Sequence, residues 1–202
     1  MSRDLVVIGA GGHAKVVLAT LGAVGMEVAA LLDDNDELWG KELLGVEIQG
    51  PVARASDLGS RGVLAVGSNR SRQTLANELD LEWVTAVHPD SSVHRSVQTG
   101  AGSVVFAGAT IQPDAVLERH VIVNTGATID HDCRIGAFSH IAPGVNLAGG
   151  VTVGEGALVG IGSSVLPGVE LGDWVVIGAG ATVVESVEAG ATVVGVPARP
   201  RT

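Results

Sequence analysis

Residues 121–147 read VIVNTGATIDHDCRIGAFSHIAPGVNL, and the spacing of their apolar residues decides the fold. Val123, Ile129, Ile135, Ile141 and Leu147 fall six apart. Extended in both directions, the same step runs from Val87 to Val183 and meets Val, Ile or Leu everywhere except Thr99. Two residues before each of these positions the side chain is small or β-branched, as at Ala109, Ala127, Cys133, Ser139, Ala157, Ser163 and Ala181. Glycine often follows directly, at Gly136, Gly154, Gly160, Gly172 and Gly178, where it is expected to accept the backbone conformation of a turn. A helix repeats at 3.6 residues and a pleated strand at two, so neither yields a lasting period of six. The pattern is the hexapeptide signature of a parallel β-helix. Three hexapeptides make one triangular coil, each inward aliphatic stacks on its counterpart one coil away, and about five coils fit between residues 87 and 187.

Upstream of this series the grammar differs. Leu5-Val6-Val7-Ile8 reads as a short buried strand leading into the turn Gly9-Ala10-Gly11-Gly12-His13, with a helix over 14–24. A second strand spans 28–32 and ends at Asp33-Asp34. A third, 63–66, ends at Gly67-Ser68-Asn69 and is followed by a helix over 71–79. Strand, turn and helix in this order predict a small parallel sheet with helices on both faces. The expected organisation is therefore an α/β half-Rossmann-like domain over 1–82, followed by a parallel β-helix and C-terminal tail over 83–202.

Composition narrows the function. Of 202 residues, 46% are hydrophobic and 17% charged, with 29 glycines and no tyrosine. That suits a core of many repeated aliphatic contacts rather than a disordered chain. A formal charge of −10, with no two Lys or Arg adjacent, disfavours nucleic acid and anionic membranes as partners. The single Cys133 permits no intramolecular disulfide and fits a reducing compartment. No signal pattern or membrane-length apolar run is seen, so a cytoplasmic location is expected. The acidic run Asp33 to Glu37 lacks the glycine and terminal glutamate of a calcium loop, and His88, His94 and His120 show no ligand spacing, so no metal site is expected.

The turn Gly9-x-Gly11-x-x-Ala14 after a strand, with an acid pair about twenty residues on, satisfies a dinucleotide fingerprint. Amides at a helix N-terminus bind phosphate, and the acid binds a ribose hydroxyl. A nicotinamide-dependent dehydrogenase is the reading this motif gives alone. Only half of a dinucleotide fold precedes the repeats, however, which favours a nucleotide diphosphate instead.

The chain resembles the hexapeptide-repeat acyltransferases, in their sialic acid O-acetyltransferase and nucleotide-aminosugar N-acetyltransferase branch. The matching pieces are Gly9 through Val17, Asp33-Asp34, Gly67-Ser68-Asn69, Asn124-Thr125, His131-Asp132-Cys133, Ser139-His140 and Gly195-Val196-Pro197-Ala198-Arg199. The resemblance implies a left-handed β-helix, a homotrimer, acetyl-CoA as co-substrate and polysaccharide precursors as the setting. His131 is the candidate general base, because an adjoining carboxylate, Asp132, can orient its imidazole and raise its basicity. The resemblance gives the same assignment, places Asn124 in the active site, and puts His140, Ile161 and Ala179 along the coenzyme, where the bare backbone of the Gly149-Gly150 turn can also pack against a pantetheine arm. It likewise implies that Gly11, Gly12, His13, Asp33, Asp34 and Asn69 contact the nucleotide sugar, with capping of the helix as the structural alternative for His13. Cys133 occupies the small inward slot and is read as inert core, so transfer is direct.

The activity expected is N-acetylation of a nucleotide-linked amino sugar, foremost a UDP-4-amino-4,6-dideoxyhexose. A GDP-linked perosamine-type acceptor and O-acetylation of a sialic acid remain open within the family. A trimeric nucleotide-binding scaffold is the non-enzymatic alternative, which would have no need of the His131-Asp132 pair.

Overall fold

The computed structural model describes residues 4–201. A four-stranded parallel sheet opens the chain, in the spatial order Ala30–Leu32, Leu5–Ile8, Arg61–Leu64, Glu82–Trp83. Leu5–Ile8 is central and buried throughout, as a continuous apolar run requires. Its alternating side chains serve two cores. Leu5 and Val7 meet Ala14, Val17, Leu18 and Leu21 of the Gly12–Ala23 helix. Val6 and Ile8 meet Leu64 and, on the Asn69–Glu78 helix, Ala76. Helices thus cover both faces, although the second strand is shorter than expected, Ala30–Leu32, and the third is shifted two residues toward the N-terminus, to Arg61–Leu64. A two-residue-per-strand hairpin, Glu42–Leu43 with Val46–Glu47, extends beyond the acidic turn.

From Ala86 onward the chain is a parallel β-solenoid of the left-handed type, built of two-residue strands on three faces. The first face holds eight strands, from Ala86–Val87 to an antiparallel closing strand at Arg199–Pro200. The second and third hold six and five. The register is eighteen residues as far as Val183, with Val105 on Val123, Ile111 on Ile129 and Leu117 on Ile135, and shortens to sixteen in the last coil, where Ile177 pairs with Val193. The aliphatics at steps of six and the small residues two positions earlier both point inward, forming one core from Val105 to Val193. Each fully buried Val, Ile or Leu contributes roughly 1.5–3 kcal/mol, so repetition substitutes for large aromatics.

The glycines divide into two kinds. Those directly after a strand do not need an unusual φ, contrary to the expectation above. A Cβ on Gly136 would lie 2.7 Å from the backbone nitrogen of Glu155 in the next coil. Close stacking of coils, not the turn, excludes a side chain there. The left-handed conformation falls two residues later, and some corners place other residues in it: Asp114, His120, Asp132, Phe138 and Trp174 all have φ near +60°.

The corner that joins the third face to the first stacks His120, Phe138, Gly156 and Trp174 at intervals of one coil. The N-terminal half docks on this column. Trp83 meets the His120 ring edge-on at 5.0 Å, and His120 stacks on Phe138 at 5.2 Å. Arg70 covers the Trp174 ring at 4.3 Å. The Gly12–Ala23 helix fills the space over the first face, where Val104, Phe106 and Ile122 join its core.

Candidate active site

His131 lies in the corner between the second and third faces, between the strands Thr128–Ile129 and Arg134–Ile135. Its side chain is 61% exposed, and Nδ1 lies 2.8 Å from Asp132 Oδ2. The carboxylate accepts the Nδ1 proton, which leaves the lone pair on Nε2. The hydrogen bond to Asp132 and the charge of Asp130 raise the imidazole pKa above its ordinary value. Asp130 also accepts the His131 backbone N–H at 2.8 Å. Asp132 occupies a left-handed position, φ 59°, that the next coil fills with Gly150. A carboxylate held at a glycine position is backbone strain beside the candidate base.

One coil on, Gly149 lies directly beneath the imidazole. A Cβ there would come within 2.6 Å of His131 Nε2 and 2.7 Å of Cε1. The bare glycine is the seat of the ring. Nothing in a linear reading of the hexapeptides pairs these two residues, since the contact follows from the eighteen-residue register.

Asn124 and His140 form a second group on the first face. Asn124 Oδ1 accepts the Thr125 N–H at 2.8 Å, so its Nδ2 is the atom turned to His140 Nε2, 3.0 Å away. His140 Nε2 is then an acceptor and the ring is neutral. Burial pushes the His140 pKa down to about 3, assisted by Arg72 and His13. His13 lies beside it, ring centroids 6.2 Å apart and 5.5 Å from Phe106. Its Nε2 is buried with no hydrogen-bond partner, and burial followed by the Arg72 charge lowers its pKa to about 4. His13 does not cap its helix, whose N-cap is Gly11 without a side-chain bond.

The structure therefore brings Asn124 to His140 and His13 rather than to His131. Within one chain the His131–Asp132 pair occupies a corner away from them. His140 opens an apolar trough of about 490 Å³ that includes Ala142, Pro143, Gly160, Ile161, Gly178 and Ala179. Ile161 is 61% exposed along it. Gly149 does not line this trough; its neighbour is His131.

At the N-terminal sheet, Gly9 adopts φ +102°, and a Cβ would lie 2.9 Å from the Ala65 carbonyl oxygen, so only glycine fits the turn. Gly11 and Gly12 are exposed with open space around them. Asp33 accepts the Ala10 N–H at 2.8 Å through Oδ2, and Asp34 accepts that of Val52 at 2.9 Å. Asp33 Oδ1 also accepts the Asn35 N–H at 3.0 Å, so both of its oxygens hold the turn. Asn69 donates to the carbonyls of Gly156 and Ala157, both at 3.0 Å. Its carboxamide thus bridges to the solenoid.

Cys133 is fully buried, its Sγ 3.3 Å from the Ala148 carbonyl, and burial raises its thiol pKa. Both effects keep it inert. Among the described residues no three His, Cys, Asp or Glu side chains gather as metal ligands would, and no helix is long and apolar enough to cross a membrane. Arg72 escaped the sequence reading. It is buried to 1% exposure beneath the site, and an arginine on the first turn of a helix carries no local sign of that.

A hexapeptide solenoid with an exposed His–Asp pair at one corner and a glycine-lined apolar trough on another face defines a hexapeptide-repeat transferase. Residues 4–79 match the PglD N-terminal domain model, and residues 150–184 match the bacterial transferase hexapeptide (six repeats). The perosamine N-acetyltransferase PerB of Caulobacter crescentus, solved with CoA and GDP-perosamine, is 40% identical over 98% of this chain and 97% of its own, with a TM-score of 0.92. The acetyltransferase domain of PglB from Neisseria gonorrhoeae FA1090, solved with acetyl coenzyme A, is 38% identical over all of both chains, with a TM-score of 0.92. UDP-N-acetylbacillosamine N-acetyltransferase of Bacillus subtilis (strain 168) is 38% identical over 116 residues, and the chain spans about half the length, 52%, of that curated relative. The chain belongs to the hexapeptide-repeat acyltransferases, in their nucleotide-aminosugar N-acetyltransferase branch.

Proposed function

We propose that this protein moves the acetyl group of acetyl-CoA onto the amine of a nucleotide-linked 4-amino-4,6-dideoxy sugar, with His131 as general base. The observation that carries the reading is the His131 Nδ1–Asp132 Oδ2 bond of 2.8 Å, which presents a free Nε2 lone pair on an exposed corner. The acceptor amine attacks the thioester carbonyl carbon, its proton passes to His131 Nε2, and the carbon–sulfur bond breaks as the CoA thiolate leaves. The thioester is already activated, so a positioned base suffices and no acyl-enzyme is needed.

In this reading the trough from His140 to Ala179 holds the pantetheine arm, with Ile161 and Ala179 along it. Asn124 orients His140 there, and Gly149 supports the base. The sheet domain, 1–82, holds the nucleotide: Gly11 and Gly12 amides meet the diphosphate, Asp33 and Asp34 the ribose and base, and His13 and Asn69 the sugar side. The β-helix, 83–202, carries the chemistry. Because the His131–Asp132 pair sits at a corner and the His13–His140 group on the first face, away from it, a neighbouring copy completes each site in a homotrimer. The single Cys133 fits the reducing cytoplasm, and the charge of −10 disfavours nucleic acid and anionic membranes as partners.

UDP is the first expectation for the nucleotide. Similarity along the whole chain to PerB, solved with GDP-perosamine, favours GDP as a second reading. A thiol-release assay with acetyl-CoA against UDP- and GDP-linked 4-amino sugars and sialic acid separates them. The expected result is release with one aminosugar, reduced by roughly 10²–10⁴-fold in His131→Ala with melting unchanged. An unaltered rate in that variant removes His131 from the mechanism. Acetylation of sialic acid alone replaces the amine with a hydroxyl acceptor.

A further inference from the structure

Arg72 is buried without a counter-charge. Among the described residues no carboxylate forms an ion pair with it. It makes six hydrogen bonds, all to uncharged acceptors. Nε donates to the His120 carbonyl, Nη1 to those of Val66 and Gly67, and Nη2 to those of Phe138 and Ser139 and to Asn69 Oδ1. Asn69 in turn donates to the Gly156 and Ala157 carbonyls. His120, Phe138 and Gly156 are the same corner of three successive coils. The pair Arg72–Asn69 therefore clips the loop after the Arg61–Leu64 strand to three rungs of the solenoid. Burying an ionised group without a partner charge is unfavourable even when every donor is satisfied. A merely structural clip of this kind needs no cation.

The charge has a direction. Ser139 and Phe138 immediately precede His140, and Gly67 lines the same trough as His140. His13 sits on the helix across from it. We propose that Arg72 is a positioning residue for acetyl transfer, whose guanidinium fixes how the nucleotide-binding half meets the donor trough. The inference rests on the acetyltransferase reading above for its kinetic consequence, while the effect of Arg72 on the two nearby rings can be read in the unliganded protein.

The groups acting on each ring are few. His140 feels Arg72 and His13, and is bonded to the neutral Asn124; His13 feels Arg72 and packs on Phe106. Burial does most to disfavour the charged form of both, and the Arg72 charge adds to it. A protonated His140 would turn an N–H toward the Asn124 Nδ2 amide and break the one bond that orients it. Its pKa near 3 and that of His13 near 4 keep both rings neutral across the physiological range. Two neutral rings neither bind nor repel a cationic sugar amine by charge, and the buried cation behind them favours the unprotonated amine, the form that attacks.

Two substitutions separate bonding from charge. Arg72→Gln removes the cation; Arg72→Lys keeps it and loses the fork of bonds. The imidazole NMR titrations of His13 and His140 are followed in the full-length protein, together with kcat, the acetyl-CoA KM and the melting temperature. In Arg72→Gln both histidines are expected to titrate at higher pH than in the wild type, whereas in Arg72→Lys they stay put. Both variants are expected to lose about tenfold to a hundredfold in kcat, with the donor KM changed less than about threefold, the scale of an ångström-sized misplacement. Wild-type kcat in either folded variant overturns the positioning role. Histidine titrations unmoved in Arg72→Gln overturn its effect on the two rings. Should Arg72→Gln not fold, Arg72→Lys still decides: wild-type turnover there refutes the clip. If the wild type acetylates no aminosugar, the functional reading fails while the titrations still test Arg72.

Discussion

Replacing Gly149 with alanine adds one methyl group under the candidate base and nothing else. Gly149 lies outside the left-handed region, so alanine is acceptable to the backbone. The new carbon would sit 2.6 Å from His131 Nε2 and 2.7 Å from Cε1. Relaxed contact between such atoms needs roughly 3.5–4.0 Å, so the imidazole must move by about 1 Å. The ring is exposed and free to move, so the fold is spared. Gly→Ala in a tolerated conformation even stabilises by about 0.4–1 kcal/mol through the unfolded chain. A base displaced by about 1 Å can cost about 10²-fold in rate. Thiol release from acetyl-CoA, with a melting curve on the same preparation, should therefore show kcat down by about two orders of magnitude and a melting temperature equal to or above wild type. A kcat within about threefold of wild type refutes the reasoning, because the ring would then not use this seat in the reacting state. A raised acetyl-CoA KM at unchanged kcat would instead put Gly149 against the coenzyme.

Asp132→Asn keeps a residue type that tolerates the left-handed conformation and removes the strongest cause of the raised His131 pKa. A base works on the alkaline side of its pKa, so the acidic limb of the kcat/KM profile should move to lower pH, with the rate reduced about 10²-fold; an unmoved limb excludes Asp132 as partner. Cys133→Ala should keep activity within about threefold, with less than about 2 kcal/mol of stability lost, and a collapse of turnover in folded protein would reinstate a thiol role. Gly136→Ala, whose Cβ would meet the next coil's backbone at 2.7 Å, should destabilise by about 1–3 kcal/mol by thermal unfolding, and a neutral result would refute close stacking as the reason for that glycine.

The solenoid was legible because its signal is strictly local and repeated. The step of six from Val87 to Val183 is the register seen, with Val105 on Val123 and Ile111 on Ile129. The reason for the glycines after each strand was not legible, since close approach between coils depends on residues eighteen positions apart. Asn124 illustrates the same limit. Seven residues separate it from His131 and sixteen from His140, but seven residues turn a corner while sixteen nearly complete a coil, so its partner is the more distant one. The burial of Arg72 was out of reach for a different reason. Five of its six acceptors are backbone carbonyls at separations from 5 to 67 residues, and carbonyls carry no residue-type signature.

In the homotrimer proposed above, the placing of the His131–Asp132 pair at a corner and the His13–His140 group on the first face has a genetic consequence. In such an assembly, with sites shared between copies, a chain lacking His131 and a chain lacking His140 would each be inactive alone but defective in different halves of a site. Co-assembled from a mixture, the two defects fall together at some interfaces and leave others whole. Two null alleles of this gene would then complement one another, whereas two alleles damaged at the same corner would not.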